Sequence, residues 1–116
     1  MPCGAERSNA MTLPESVQAF FDLPKPASNR DIEAIFVPDA HVRDEARDHK
    51  GTEAITTWWR ETNEATPFTA VPKSTGHSDG RLVVHAEVSG SFPGSPVMLG
   101  HYFRLRDGKI EELEIK

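Results

Sequence analysis

The stretch Val97–Gly108, "VMLGHYFRLRDG", alternates at strand period. Val97, Leu99, His101, Phe103 and Leu105 share one face, which is apolar at every position except His101. The same period begins after Pro67, where "FTAVPKSTGH", "RLVVHAEVSGSF", "VMLGHYFRLR" and "KIEELEIK" read as four strands. Their joints, "SDGR", "PGSP" and "RDGK", are turn signals, and connections this short make the sheet antiparallel. A two-residue turn at Asp79-Gly80 pairs His77 with Leu82. A four-residue loop from Pro93 to Pro96 pairs Phe92 with Val97, hence Val88 with His101 and Ala86 with Phe103. One face then collects Val71, His77, Leu82, Val84, Ala86, Val88, Leu99, His101, Phe103 and Leu105. The other collects Val83, His85, Glu87, Met98, Tyr102 and Arg104, so the first set is the one helices cover. Ile110, Leu113 and Ile115 break strict alternation, and a bulge near Glu111 or Glu112 turns the last two inward.

Upstream the spacing is helical. In "TLPESVQAFFDL", Leu13, Val17, Phe20 and Phe21 fall on one face, Thr12 and Glu15 have capping-box spacing, and Pro14 lies in the first turn. "PKPAS" interrupts, and Ser28 or Asn29 caps a short helix, "RDIEAIF", with Ile32, Ile35 and Phe36 inward and Pro38 as its end. "AHVRD" is extended and leads into a polar loop, "EARDHKG". A third helix, "TEAITTWWRETNEA", aligns Ala54, Ile55, Trp58 and Thr62, with Glu53 at the positive end of its dipole. The expected fold is α+β: three N-terminal helices packed in the concave face of a strongly curved antiparallel sheet. Such a sheet leaves a cavity that the core does not fill, and His101 points toward it.

Composition narrows the function classes. The 116 residues fit one domain, and 37% aliphatic and aromatic against 27% charged residues is enough apolar material for one core. Residues 1–10 have no periodicity and read as a tail, leaving 11–116 as the domain; "SNA" before Met11 has the look of a tag remnant, and Met11 is an alternative start. The net charge of −5, without a Lys/Arg cluster, argues against nucleic acid. The single cysteine, Cys3, rules out an intrachain disulfide. No apolar run approaches a membrane span and no signal peptide is visible, so the expected compartment is the cytoplasm. The histidines lack zinc-ligand spacing, and "GSFPGSP" joins strands and does not precede a helix, so neither a metal nor a cofactor is expected.

Two blocks, "IEAIFVPDAHVRDEARDHKGTEAITTWW" and "HYFRLRDGKIEELEI", resemble the nuclear-transport-factor-2-like superfamily, the α+β cone fold, and within it the SnoaL-like and ketosteroid-isomerase-like families. The resemblance runs from about Val17 to Ile115. It puts the isomerases' general base on Asp44, the strand-end aspartate of "VRD". It puts the oxyanion-hole acid on His101 and the oxyanion tyrosine on Phe20. Phe20 carries no hydroxyl to aim at a developing oxyanion, which argues against steroid isomerisation as such.

The resemblance therefore implies a cavity for an apolar small molecule, with proton transfer on a carbonyl compound or binding alone as its use. Asp44 is the candidate base and His101 its acid or electrostatic partner, oriented by Asp44. Phe20, Phe36, Trp58, Val84, Leu99 and Phe103 are the candidate lining, each of which also suits a core position. His49 in "RDHKG" reads as a solvent-exposed loop histidine. The outer sheet face, with Val83, His85, Met98, Tyr102 and Arg104, is apolar enough to suggest a homodimer.

Overall fold

A computed structural model describes residues 13–116. The expected tail, Cys3, Met11 and the Thr12 of the expected capping box lie outside the described residues. Helix α1 (Glu15–Phe21) begins at Pro14, which occupies the N-cap position with no side-chain cap. Helix α2 (Asn29–Ile35) has a capping box: Ser28 accepts from the Asp31 N–H, and the Asp31 carboxylate accepts from the Ser28 N–H. The chain passes directly from α2 into strand β1 (Phe36–Asp44), so Pro38 lies inside a strand and is not a helix stop.

The stretch expected to be a polar loop is a hairpin. Strand β2 (Arg47–Lys50) pairs antiparallel with β1, opposite Asp44 through His41. Its two-residue turn is Glu45-Ala46, with φ of 53° and 62°. Both residues adopt the left-handed conformation that Asp-Gly turns favour, without the glycine that would announce it. The Asp79-Gly80 and Asp107-Gly108 turns take the same form.

Helix α3 (Thr52–Ala65) follows, then β3 (Phe68–Ser78), β4 (Arg81–Gly90), β5 (Val97–Arg106) and β6 (Lys109–Ile115). The six strands form one curved sheet in the order β2-β1-β6-β5-β4-β3. It is mixed, because β1 and β6 run parallel, with Asp44 opposite Ile115. The helices pack on its concave face over a core that includes Val17, Phe20, Ile32, Phe36, Ile55, Val84, Phe103 and Leu113. Among the described residues, no helix is long and apolar enough to cross a membrane.

Two register expectations shift. His77 does pair with Leu82, but Val88 pairs with Val97 and Val84 with His101. The β4–β5 connection is longer than four residues, closed in part by the Gly90 N–H donating to Ser95 Oγ. The slip is four residues, an even number, so the faces stay as expected. Val71 does change face: an irregularity between Pro72 and Ser74 reverses the alternation, and Val71 stands 43% exposed opposite Glu87. The expected bulge in β6 falls at Glu111, since Leu105 pairs with Ile110 and Arg104 with Glu112.

The outer sheet face is less apolar than its sequence suggests. Val83, opposite Tyr102, is already buried within the chain. The Tyr102 ring lies under the Arg81 guanidinium and the Lys116 ammonium, each 5.0 Å from its centroid. Met98 and Val71 are the large apolar side chains left exposed there.

Candidate functional site

The register aligns the site. Asp44 on β1, Ile115 on β6 and His101 on β5 lie in one row across adjacent strands, with Val84 of β4 next. Strand spacing sets the Asp44 and His101 backbones about 10 Å apart, with Ile115 between them. All three line a cavity of about 590 Å³ between the sheet and the helices. Phe20 and Phe21 of α1, Trp58 and Trp59 of α3, and Phe68 of β3 supply most of its aromatic wall.

Asp44 sits where β1 turns into β2. Trp58 Nε1 donates to its Oδ2 at 3.1 Å. Partial burial raises the carboxyl pKa, the Trp58 hydrogen bond opposes that, and the Glu45 charge adds to it while His49 subtracts. Such a carboxylate is a stronger base than a surface aspartate. Trp58 is held in turn by its place on α3, whose N-cap residue is Gly51, and the Gly51 N–H donates to the Ala40 carbonyl at 2.9 Å. Trp59 Nε1 donates to the Pro24 carbonyl at 2.8 Å, tying α3 to the α1–α2 link. Both indole N–H groups are therefore engaged by the protein itself.

His101 has a different environment. It is 4% exposed, with Phe21 edge-on at 5.2 Å and Phe103 stacked at 6.4 Å between centroids. Its Nδ1 lies 3.3 Å from the Leu99 carbonyl oxygen. Burial pushes its pKa down to about 4, against the pull of the Leu99 and Val84 carbonyls. Asp44 does not orient it: the carboxylate is bonded to Trp58, the imidazole faces Leu99, and Ile115 stands between.

Of the expected lining, Phe20, Trp58 and Leu99 reach the cavity. Phe36, Val84 and Phe103 are 1%, 0% and 1% exposed and form the core layer behind it. They carry the same apolar alternation as the lining residues, and only depth separates the two sets. His49 is a correction in the other direction. It lies on β2, half-buried, its ring 5.9 Å from that of Trp58, and lines the cavity beside Asp44. Alternation within the hairpin puts it on the Asp44 side, a signal that "EARDHKG" read as a loop conceals. Lys25 carries no sequence signal for its place: its ammonium donates to the Phe68 carbonyl, lies 4.7 Å from the Phe68 ring centroid and borders the cavity, and partial burial lowers its pKa.

The comparisons agree with this architecture. Residues 17–113 match the model of the SnoaL-like domain. A candidate polyketide cyclase from Sinorhizobium meliloti is 38% identical, with a TM-score of 0.81 over 90% of this chain and 95% of that one. A candidate SnoaL-like polyketide cyclase from Jannaschia is 19% identical, with a TM-score of 0.71 over 88% of this chain and 82% of that one. A Catenulispora acidiphila protein with a ketosteroid-isomerase-like fold, solved with trimethylamine, is 18% identical, with a TM-score of 0.71 over 90% and 86%. Among proteins of curated function, none matches the sequence. Family match, identity over nearly the whole length and a shared cone fold lead to one assignment: the chain belongs to the SnoaL-like family.

Proposed function

We propose that the protein binds a largely apolar small molecule in the cavity beside Asp44 and transfers a proton at a carbon next to a carbonyl. The observation that carries this reading is Asp44 itself: a half-buried carboxylate, its pKa raised by desolvation and one oxygen fixed by Trp58, bordering an aromatic cavity. In the proposed step Asp44 takes a proton from the α-carbon, and the C–H electron pair moves into an enolate. The carboxylic acid so formed then returns a proton to carbon. His101 is the polar group on the other side of Ile115, where it meets the same ligand.

The test is exchange of the α-protons of 2-tetralone in deuterated buffer, followed by NMR. The wild-type protein should accelerate exchange, and Asp44→Asn should lose about 10²–10⁴-fold of that rate, the usual contribution of a positioned base. Equal rates in the two proteins would sink the proposal.

A second reading, binding without chemistry, has one observation in its favour. Phe20 has no hydroxyl, and both indole N–H groups are spent on Asp44 and Pro24, so none of these three rings aims a free donor at an enolate oxygen. On that reading 2-tetralone binds wild type and Asp44→Asn alike, and neither exchanges its protons.

A further inference from the structure

The direction of the His101 hydrogen bonds constrains what the cavity can hold. A carbonyl oxygen can only accept, so Nδ1, 3.3 Å from the Leu99 oxygen, must carry a proton. The ring is almost fully buried, is packed among Phe20, Phe21 and Phe103, and has no carboxylate bonded to it among the described residues. A charged imidazole is strongly disfavoured there, in keeping with its depressed pKa. A neutral ring has one N–H; the Val84 carbonyl also pulls on the ring, but among the described residues the Leu99 oxygen is the acceptor in hydrogen-bond geometry, and it takes that N–H. Nε2 is left with a lone pair. It has no hydrogen-bond partner among the described residues, and His101 borders the cavity.

We infer that His101 Nε2 is an acceptor subsite, and that the ligand presents a hydroxyl or N–H group to it. The inference rests on the reading of this cavity as a ligand site. A ligand carbonyl at Nε2 would oppose lone pair to lone pair in an apolar wall, whereas a hydroxyl supplies the missing partner. His101 is thus not the donor that its position in the sequence suggested. Ligand polarity must be asymmetric: a donor group at His101, and the reacting carbon or a second donor at Asp44, with Ile115 under the apolar body between them.

The test uses the whole chain and two probes that differ by one hydrogen-bond donor, 2-naphthol and 2-methoxynaphthalene. Nitrogen-15 shifts of the histidine rings, measured first without probe, should show His101 as the Nδ1–H tautomer. Wild type should bind 2-naphthol about five- to tenfold more tightly than 2-methoxynaphthalene, and His101→Phe should bring the ratio near one by weakening 2-naphthol alone. An Nε2–H tautomer, or a ratio unchanged in His101→Phe, overturns the acceptor subsite while leaving the cavity as a ligand site. Failure of both probes to bind wild type would overturn the cavity reading and the subsite with it. The tautomer measurement needs no variant, so a His101→Phe protein that fails to fold does not protect the inference.

Discussion

Asp44 and His101 face one cavity from the same row of the sheet, and burial drives each toward its neutral form, yet the outcomes are opposite in kind. Asp44 stands on the short edge hairpin, half-buried, with an indole N–H on one oxygen. Its raised pKa makes the ionised carboxylate a better proton acceptor. His101 stands in a central strand among aromatic rings, with carbonyl oxygens as its polar neighbours. Its lowered pKa removes it from acid catalysis at neutral pH and leaves a hydrogen-bonding group. Desolvation is the common cause. The partner on each side chain, a donor for Asp44 and acceptors for His101, sets which role survives.

The sharpest way to break the contrast is the Asp44→Asn exchange experiment, with its expected loss of about 10²–10⁴-fold. His101→Gln should leave α-proton exchange of 2-tetralone within about tenfold of wild type, because it alters a ligand contact and not the base. If His101→Gln matched Asp44→Asn, the two groups would be acting as a unit and the contrast would fail.

The next effect is on stability. The His101 pKa falls from 6.5 in the unfolded chain to about 4 in the folded one. Between those values the unfolded state binds more protons, so stability is fully present above pH 6.5 and drains away as pH falls toward 4. The shift corresponds to about 3 kcal/mol. Urea unfolding of wild type at pH 7 and pH 4 should differ by that order, and His101→Gln should flatten the difference. Asp44 acts with the opposite sign: its raised pKa means that ionisation costs stability as pH rises past 3.8. Asp39, Asp48 and Glu114, whose pKa values are lowered by ion pairs, lose their contributions only as pH falls below 3.8, 3.8 and 4.5 respectively. A pH dependence between 4.5 and 6.5 that persists in His101→Gln would show that His101 is not the group responsible.

The sequence displays these two ends unequally. His101 stands out because strand alternation and Asp-Gly turns expose it as the one polar residue on an apolar face, and a register slip of four leaves that face unchanged. Family resemblance marks Asp44, but its surroundings leave no mark in the sequence. Strand β2 is polar on both faces and its Glu45-Ala46 turn lacks a glycine, so no period or turn signal marks the hairpin. The parallel β1–β6 pairing, which puts Ile115 between Asp44 and His101, joins segments far apart in sequence and leaves no turn to read. Trp58 fits a core stripe at helical period, and that period carries no sign that its N–H meets Asp44. Separating the cavity wall from the core behind it, Leu99 from Phe103, requires depth, which a one-dimensional pattern does not carry.

Trp58→Phe tests the donor on which the Asp44 side depends. It keeps most of the buried ring and removes the indole N–H, so Asp44 loses its side-chain partner while remaining desolvated. The loss of a hydrogen bond to a charged group should lower stability at pH 7 by about 2 kcal/mol in urea unfolding. It should also raise the Asp44 pKa, moving the acid limb of the exchange–pH profile upward. An unmoved limb would mean that the indole fixes the fold and not the base.

The smallest effect belongs to His49, and it separates contact from field. His49 makes no hydrogen bond to Asp44 but stacks obliquely on Trp58 beside it, and its charge holds the Asp44 pKa down. His49→Gln should therefore raise the Asp44 pKa less than Trp58→Phe does, with a stability change under about 1 kcal/mol. Salt discriminates further. The His49 contribution is a through-space interaction at a cavity that opens to solvent, so about 1 M salt, with a Debye length near 3 Å, should erase the difference between His49→Gln and wild type. The Trp58 hydrogen bond should survive the same salt. If instead salt leaves the His49→Gln shift intact, His49 acts through its packing on Trp58. The Asp44 side would then be a three-residue contact network, and no longer the single donor–acceptor pair that distinguishes it from His101.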